Sequence, residues 1–237
     1  MLSGIINPAD LKRASWLCET CVPDNAKEND RESEQPVWTS QCKRYTLWID
    51  GVGAWHICVG DQVEIGGPAL NHAEADICLM ANISRRHARL VRDGEDWFIH
   101  ARHPTVVSGR TAGEKAALRT GDEIRLGERV RLGFRVPSPL ATTAVIDFES
   151  DHRPAQSVNG IVLMTDNCLL GPRRDYHIFC PEWPDLLVLF TRDGQLCCRS
   201  NMPLKLNQTI VRDVAELSHG SVVSGEEFRF RVECLDG

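Results

Sequence analysis

Ser84-Arg85-Arg86-His87 places a hydroxyl, two guanidinium groups and an imidazole within four residues. A guanidinium offers a planar fork of N–H donors that suits phosphate, and a hydroxyl adds a neutral donor. Asp76-Ile77 precedes the stretch, and Ala88-Arg89-Leu90-Val91 leads from it into an Asp93-Gly94 turn. Glu64-Ile65-Gly66 lies upstream; Thr120-Gly121-Asp122 and Ile124-Arg125-Leu126-Gly127 lie downstream. Other constellations offer less. Gly51-Val52-Gly53 lacks the rest of a nucleotide-binding fingerprint, and His100 and His103 have no carboxylate partner close in sequence. No catalytic residue, cofactor or enzyme activity is therefore expected.

The elements that must hold these residues read as β-strands. Tyr45–Asp50, Trp55–Val59, Gln62–Ile65, Trp97–Ile99, Glu123–Leu126, Val130–Phe134 and Ala144–Phe148 are short runs rich in β-branched and aromatic residues. Gly, Asp and Pro turn signals separate them, the pattern of an antiparallel sandwich or barrel. Alternation in Val130–Phe134 puts the apolar set on one face and Arg131 on the other. Before the strands, residues 23–36 carry almost nothing apolar and read as an acidic linker, preceded by an amphipathic piece over 9–20 with Asp10 as a helix N-cap.

The chain has 237 residues, 42% hydrophobic and 25% charged, the balance of a soluble globular protein. Its first ten residues lack a basic start followed by an apolar stretch, and no run reaches the length of a bilayer span, so a cytoplasmic protein without membrane contact is expected. Its net charge of −6 argues against bulk nucleic-acid binding. Residues 83–135 nevertheless carry 12 Lys/Arg against 7 Asp/Glu, whereas residues 159–237 carry 8 against 11. A basic region in an acidic chain suits a small anionic target.

The Ser-x-x-His motif in this frame resembles the forkhead-associated (FHA) domain, a β-sandwich that recognises phosphothreonine in partner proteins. The resemblance is good over residues 45–136 and weak over 143–233. It implies that Ser84 donates its hydroxyl to phosphate, that Arg85 grips the phosphate, and that His87 ties neighbouring loops together. The family has Gly-Arg at the end of its third strand; here Gly66-Gly67 stands there, and restoring the arginine at Gly67 should strengthen binding. The family's peptide-gripping loop falls on residues 101–109, where His103 or Pro104 replaces an asparagine and Arg102 is placed to restore lost charge. The expected phosphopeptide site is thus Ser84, Arg85, Arg102 and His103, with Gly66 and His87 structural.

The second half repeats landmarks of the first. Arg92-Asp93-Gly94 recurs as Arg192-Asp193-Gly194, Ile65-Gly66 as Leu170-Gly171, Ile77 as Ile178, Pro104 as Pro203 and Gly121 as Gly220. Trp48-Ile49-Asp50 matches Val145-Ile146-Asp147. A collinear series of this length indicates duplication. In the second copy Pro184, Asp185 and Leu187 stand for Ser84, Arg85 and His87, and a carboxylate there repels phosphate. The expected fold is all-β: an N-terminal extension, helical or disordered, with its linker (1–42), an FHA-like antiparallel sandwich (43–138) and a degenerate FHA-like sandwich (139–237).

The resemblance implies a recognition module in cytoplasmic signalling whose partner is a phosphothreonine-containing protein or peptide, a Ser/Thr kinase or its substrate. The alternative is a scaffold or adaptor that kept the fold and lost the phosphate site. Of the ten cysteines, Cys58, Cys78, Cys168, Cys180, Cys197 and Cys234 lie in strand-like runs and read as reduced core residues. Cys18-x-x-Cys21 is half of a zinc site, with Cys42 as a third ligand and His56 or Cys58 as an awkward fourth; no metal site is expected from that spacing.

Overall fold

The computed structural model describes residues 43–69, 75–138 and 141–236, and all regular elements among them are strands. The first eleven are β1 (Arg44–Ile49), β2 (Gly53–Val59), β3 (Gln62–Gly66), β4 (Ile77–Cys78), β5 (Ala88–Asp93), β6 (Asp96–Ala101), β7 (Thr105–Val107), β8 (Arg110–Thr111), β9 (Ala116–Leu118), β10 (Asp122–Leu126) and β11 (Val130–Arg135). The next eleven are β12 (Ala144–Phe148), β13 (Gly160–Met164), β14 (Asn167–Gly171), β15 (Ile178–Phe179), β16 (Leu187–Arg192), β17 (Gln195–Ser200), β18 (Leu204–Leu206), β19 (Thr209–Val211), β20 (Ala215–Glu216), β21 (Val222–Ser224) and β22 (Arg229–Cys234). The expected N-terminal extension, with Asp10, Cys18, Cys21 and Cys42, lies outside the described residues.

One five-stranded sheet has the order β4-β3-β5-β6-β9 and another has β15-β14-β16-β17-β20, the same order with eleven added to each label. The remaining strands form a single twelve-stranded sheet, β19-β18-β21-β22-β1-β2-β13-β12-β11-β10-β7-β8. Its two halves correspond in the same way except at the centre. Hairpin β1–β2 lies against β22, with Leu47 opposite Val232, and β12 lies against β11, with Val145 opposite Arg135. A division of the chain at 138/139 therefore does not divide the sheets. The physical reason is the short connection over residues 136–143, which folds β12 straight back as the antiparallel neighbour of β11. β1 is then left to complete the sheet of the other half.

Burial follows the exchange. One core joins Ile65, Leu90, Trp97, Ile99, Leu132 and Phe134 to Ile146, Ile161 and Leu163. The other joins Leu170, Ile178, Trp183, Leu189 and Phe230 to Leu47, Ile49, Trp55 and Ile57. The central strands β2 and β13 pair in parallel, with Gly160 opposite Trp55 and Val162 opposite Ile57. Their alternate side chains enter opposite cores: Trp55, Ile57, Val162 and Met164 enter one, Ala54, Cys58, Ile161 and Leu163 the other. A strand buried on both faces is apolar throughout, as Ile161-Val162-Leu163-Met164 is. Asn159 closes the seam: its side-chain oxygen accepts from the Ala54 amide at 2.9 Å, and its own amide donates to the Ala54 carbonyl at 2.7 Å. Gly160 lets the Trp55 ring lie on the backbone, since a Cβ there would come within 2.4 Å of the ring.

The repeated landmarks need one adjustment. Ala88 pairs with Ile65 and Leu187 with Leu170, so β5 and β16 correspond at an offset of 99, not the 100 that Arg-Asp-Gly suggests. Asp93 closes β5 against Asp96, whereas the corresponding pair is Arg192 with Gln195. The matching tripeptides are one residue out of structural register. A shared device replaces them: the Glu64 amide donates to Asp76 Oδ2 at 2.8 Å, and the Leu169 amide donates to His177 Nδ1 at 2.9 Å.

Cys58, Cys78, Cys168, Cys180, Cys197 and Cys198 are free. Cys234, read from sequence as reduced, is disulfide-bonded. It stands on the last strand, opposite Tyr45 of β1.

Two expected outcomes follow from this architecture. A fragment of residues 43–138 lacks Ile146, Ile161 and Leu163 from its core and leaves Leu47, Ile57 and Trp55 without theirs. It should give no dispersed monomeric NMR spectrum alone, and should gain one when mixed with residues 139–237; a well-folded monomer from 43–138 would contradict the exchange.

Acid should also destabilise the fold. Burial, then the charge of Arg44, lowers the His56 pKa to about 4; burial, then Arg135, lowers that of His177 to about 4. The unfolded chain takes up these protons near pH 6.5, so the stability is complete above that pH and is lost as pH falls toward 4. By pH 5 the loss should be at most about 2 kcal/mol per histidine. Urea unfolding at pH 7 and pH 5 measures it, and His177→Gln should flatten the dependence.

Candidate functional site

The loops around Ser84 are stacked on the end of β3 by backbone contact. The Gly67 amide donates to the Ser84 carbonyl at 2.9 Å, and the His87 amide donates to the Ile65 carbonyl at 2.8 Å. The crossing is so close that a Cβ on Gly66 would lie 1.7 Å from the Arg85 carbonyl oxygen. A Cβ on Gly67 would lie 2.4 Å from the Ile83 carbonyl oxygen. Both glycines are thus required by a neighbouring backbone that cannot move as a side chain can. The expectation that arginine at Gly67 would strengthen binding meets this obstacle: the side chain has no room unless the 81–85 loop shifts.

His87 is buried and its ring joins a second loop to the first. Its Nε2 lies 3.0 Å from the Pro104 carbonyl, which fixes Nε2 as the donor and leaves Nδ1 unprotonated and without a partner. Burial lowers its pKa; the neighbouring His103 lowers it further and the Pro104 bond opposes. The His87 carbonyl accepts from the amides of Arg102 at 3.1 Å and His103 at 3.2 Å. The Gly127 amide donates to the same Pro104 carbonyl at 2.9 Å. Four segments therefore meet around one neutral imidazole, and the His103 ring stands 5.5 Å from it.

This frame carries Ser84 half-buried and Arg85 and Arg86 exposed. It brings the backbones of 84–87 and 102–104 together, but it sends the Arg102 side chain elsewhere. Arg102 Nη2 donates to Glu64 Oε1 at 2.9 Å, and Arg89 Nε donates to the same oxygen. The guanidinium of Arg102 is thus held on the outer face of the five-stranded sheet. Gln62, Arg89, Val91, His100 and Arg102 line a cavity of about 370 Å³ there. Sequence reasoning missed Glu64, Arg89 and Gln62. The signal was strand alternation: Glu64, Arg89 and His100 stand in one row across β3, β5 and β6.

The corresponding loop of the second half has different chemistry. A Cβ on Gly171 would lie 3.1 Å from the Asp185 carbonyl, so Asp185 takes the place of Arg85 and Pro184 that of Ser84. The residue before β16 is Leu186, whose carbonyl accepts from the Ser200 hydroxyl at 2.8 Å where the His87 carbonyl accepts two amides.

Residues 63–127 match the family model described as FHA domain. That segment spans β3 to Gly127 and includes Ser84, Arg85, His87, Arg102 and His103; the chain contains an FHA domain there. No curated protein matches the chain. Among solved structures, the FHA structure of Rv0020c is 28% identical, covering 35% of this chain and 84% of that one, with a TM-score of 0.26. A structure from a study of phosphothreonine-dependent FHA domain interactions is also 28% identical, covering 35% and 88%, with a TM-score of 0.26. The FHA domain of an Arabidopsis thaliana hypothetical protein is 20% identical, covering 40% and 87%, with a TM-score of 0.28.

The close approach at the two glycines has a measurable consequence. Gly66→Ala and Gly67→Arg should each lower stability by at least the ~1–3 kcal/mol typical of overpacking. Gly113→Ala, where a Cβ meets nothing within 4 Å, is the matched control. Chemical denaturation of the three variants checks this; Gly67→Arg at wild-type stability would show that the loop yields.

Proposed function

We propose that the sandwich containing residues 63–127 binds a phosphothreonine-containing segment of a partner protein through Ser84 and Arg85. The observation that carries this reading is the Ser84–His87 loop, pinned on Gly66-Gly67 and braced by His87, inside the segment that matches the FHA model. FHA domains are phosphothreonine-binding interaction modules rather than enzymes. The Ser84 hydroxyl supplies a neutral donor and the exposed Arg85 a charged one. His103 borders the same loop, and Arg102 contributes only if it leaves Glu64. In this reading the second half is a degenerate FHA-like copy, because Pro184 and Asp185 stand where the donors should be, and its role is structural. The partner is a Ser/Thr kinase or its substrate, and the setting is cytoplasmic signalling.

A second reading, a phosphate-independent scaffold, is favoured by two specific features: Glu64 pairs with Arg102, and Gly67 offers no charge. Fluorescence polarisation with a phosphothreonine peptide and its unphosphorylated twin separates the two. Under the first reading only the phosphorylated peptide binds well. Ser84→Ala should then weaken it several-fold and Arg85→Ala by roughly ten- to a hundredfold, the loss of one neutral and one charge-assisted hydrogen bond. Equal binding of both peptides would leave the scaffold.

A further inference from the structure

The outer face of the β3-β5-β6 sheet carries more cation than its own carboxylate uses. Arg89 and Arg102 both bond Oε1 of Glu64, while Oε2 of that carboxylate is buried without a partner. Each guanidinium has five N–H donors. Arg102 spends one on Glu64; Arg89 spends one on Glu64 and one, at 3.3 Å, on Gln62. Their side chains are 37% and 38% exposed, so the other donors reach the cavity of about 370 Å³ or solvent. Val91 and His100 also line it, and His100 stands opposite Arg89 in the strand register. The Arg102 amide donates to the His87 carbonyl, so one lining residue of the cavity is tied through its backbone to the end of the Ser84–His87 loop.

We infer that this cavity is a docking site for an acidic side chain, Asp or Glu, of the partner polypeptide. It rests on the proposed reading only in taking the partner to be a polypeptide; phosphate is not required. The incoming carboxylate takes two parallel N–H bonds from Arg89 or Arg102, the geometry that a guanidinium matches best. Val91 receives the aliphatic stem. Glu64 is the internal competitor: it holds both arginines in place in the free protein and sets a threshold for the ligand's charge. Neutral peptides gain nothing here, and the site acts as an acidic-residue filter beside the phosphate loop.

The test uses the full chain and two pools of nine-residue peptides without phosphate, one with Glu at three fixed positions and one with Gln there. Arginine Nε–H signals of Arg89, Arg102 and Arg85 are followed by NMR, assigned with single Arg→Lys variants. The Glu pool should shift Arg89 and Arg102 at a concentration at least tenfold below the Gln pool. Arg89→Gln should weaken Glu-pool binding several-fold, and Glu64→Gln should tighten it several-fold, a gain that a purely structural role for Glu64 does not give. An equal response to both pools, or no tightening in Glu64→Gln, overturns the inference. A neutral phosphothreonine peptide forms the separate arm. If it moves Arg85 while the Glu pool leaves Arg89 and Arg102 unmoved, the phosphate reading stands and the acidic site falls; the reverse result sinks the phosphate reading alone.

Discussion

The parallel pairing of β2 with β13 is the constraint on which the rest depends. Each strand contributes alternate side chains to opposite cores, so neither core is complete without both halves of the chain. Parallel neighbours cannot be joined by a tight turn. Here they are brought together by two antiparallel pairs, β1–β2 and β12–β13, each docked on the last strand of the other half, β22 and β11. The result converts two edge strands into interior ones, which removes the exposed ladders that a six-stranded sheet would present at that edge. Asn159 and Gly160 are the local conditions: one supplies the missing ladder bonds to Ala54, the other clears space for Trp55.

The site depends on a different constraint, the crossing of two backbones. The 81–87 loop can reach the end of β3 only because Gly66 and Gly67 lack Cβ atoms. That crossing aims the loop, and His87 then fixes its distance from Pro104 and Gly127. A neutral imidazole suits the role, since burial disfavours a charge there and one N–H satisfies the carbonyl. The same crossing closes Gly67 to a larger residue. Charge for an anionic ligand must therefore come from the loop itself, Arg85 above all, or from Arg102 once Glu64 releases it.

Much of this was legible in the chain. Alternation and turn residues indicate the strands, and Gly121 and Gly220 do occupy matching turns, each with positive φ and an amide donated to a final strand. The strand exchange was not read, although Gly160-Ile161-Val162-Leu163-Met164 carried its signal: a run without polar alternation is buried on both faces. Which strands cover its two faces is a long-range fact that no local pattern holds. The Arg102–Glu64 pair was hidden for the same reason. The resemblance placed Arg102 in the family's peptide-gripping loop, but only the register of β3 on β5 and β5 on β6 shows that Glu64 shares its face. The register likewise moves the Arg-Asp-Gly match by one residue, because a tripeptide can recur by chance while strand pairing cannot slip without turning every side chain over.

The two halves show what a shared frame tolerates. Where Glu64 takes its amide bond to Asp76, Leu169 takes the equivalent bond to His177, so a carboxylate and a neutral imidazole serve one backbone need. The chemistry above that frame differs much more. The loop of one half presents Ser84 and Arg85 with Glu64, Arg89 and Arg102 on the adjoining face. The other presents Pro184 and Asp185, with Leu169 and Val188 in the row of Glu64 and Arg89. Backbone bonds at the ends of strands are costly to leave unmade and so persist through any residue that can accept them. Exposed side chains carry no such penalty. A charged row of Glu64 and Arg89 on one half, and a row of Leu169 and the buried Val188 on the other, are therefore compatible with one continuous sheet, and the interlocked cores hold both halves in a single folding unit.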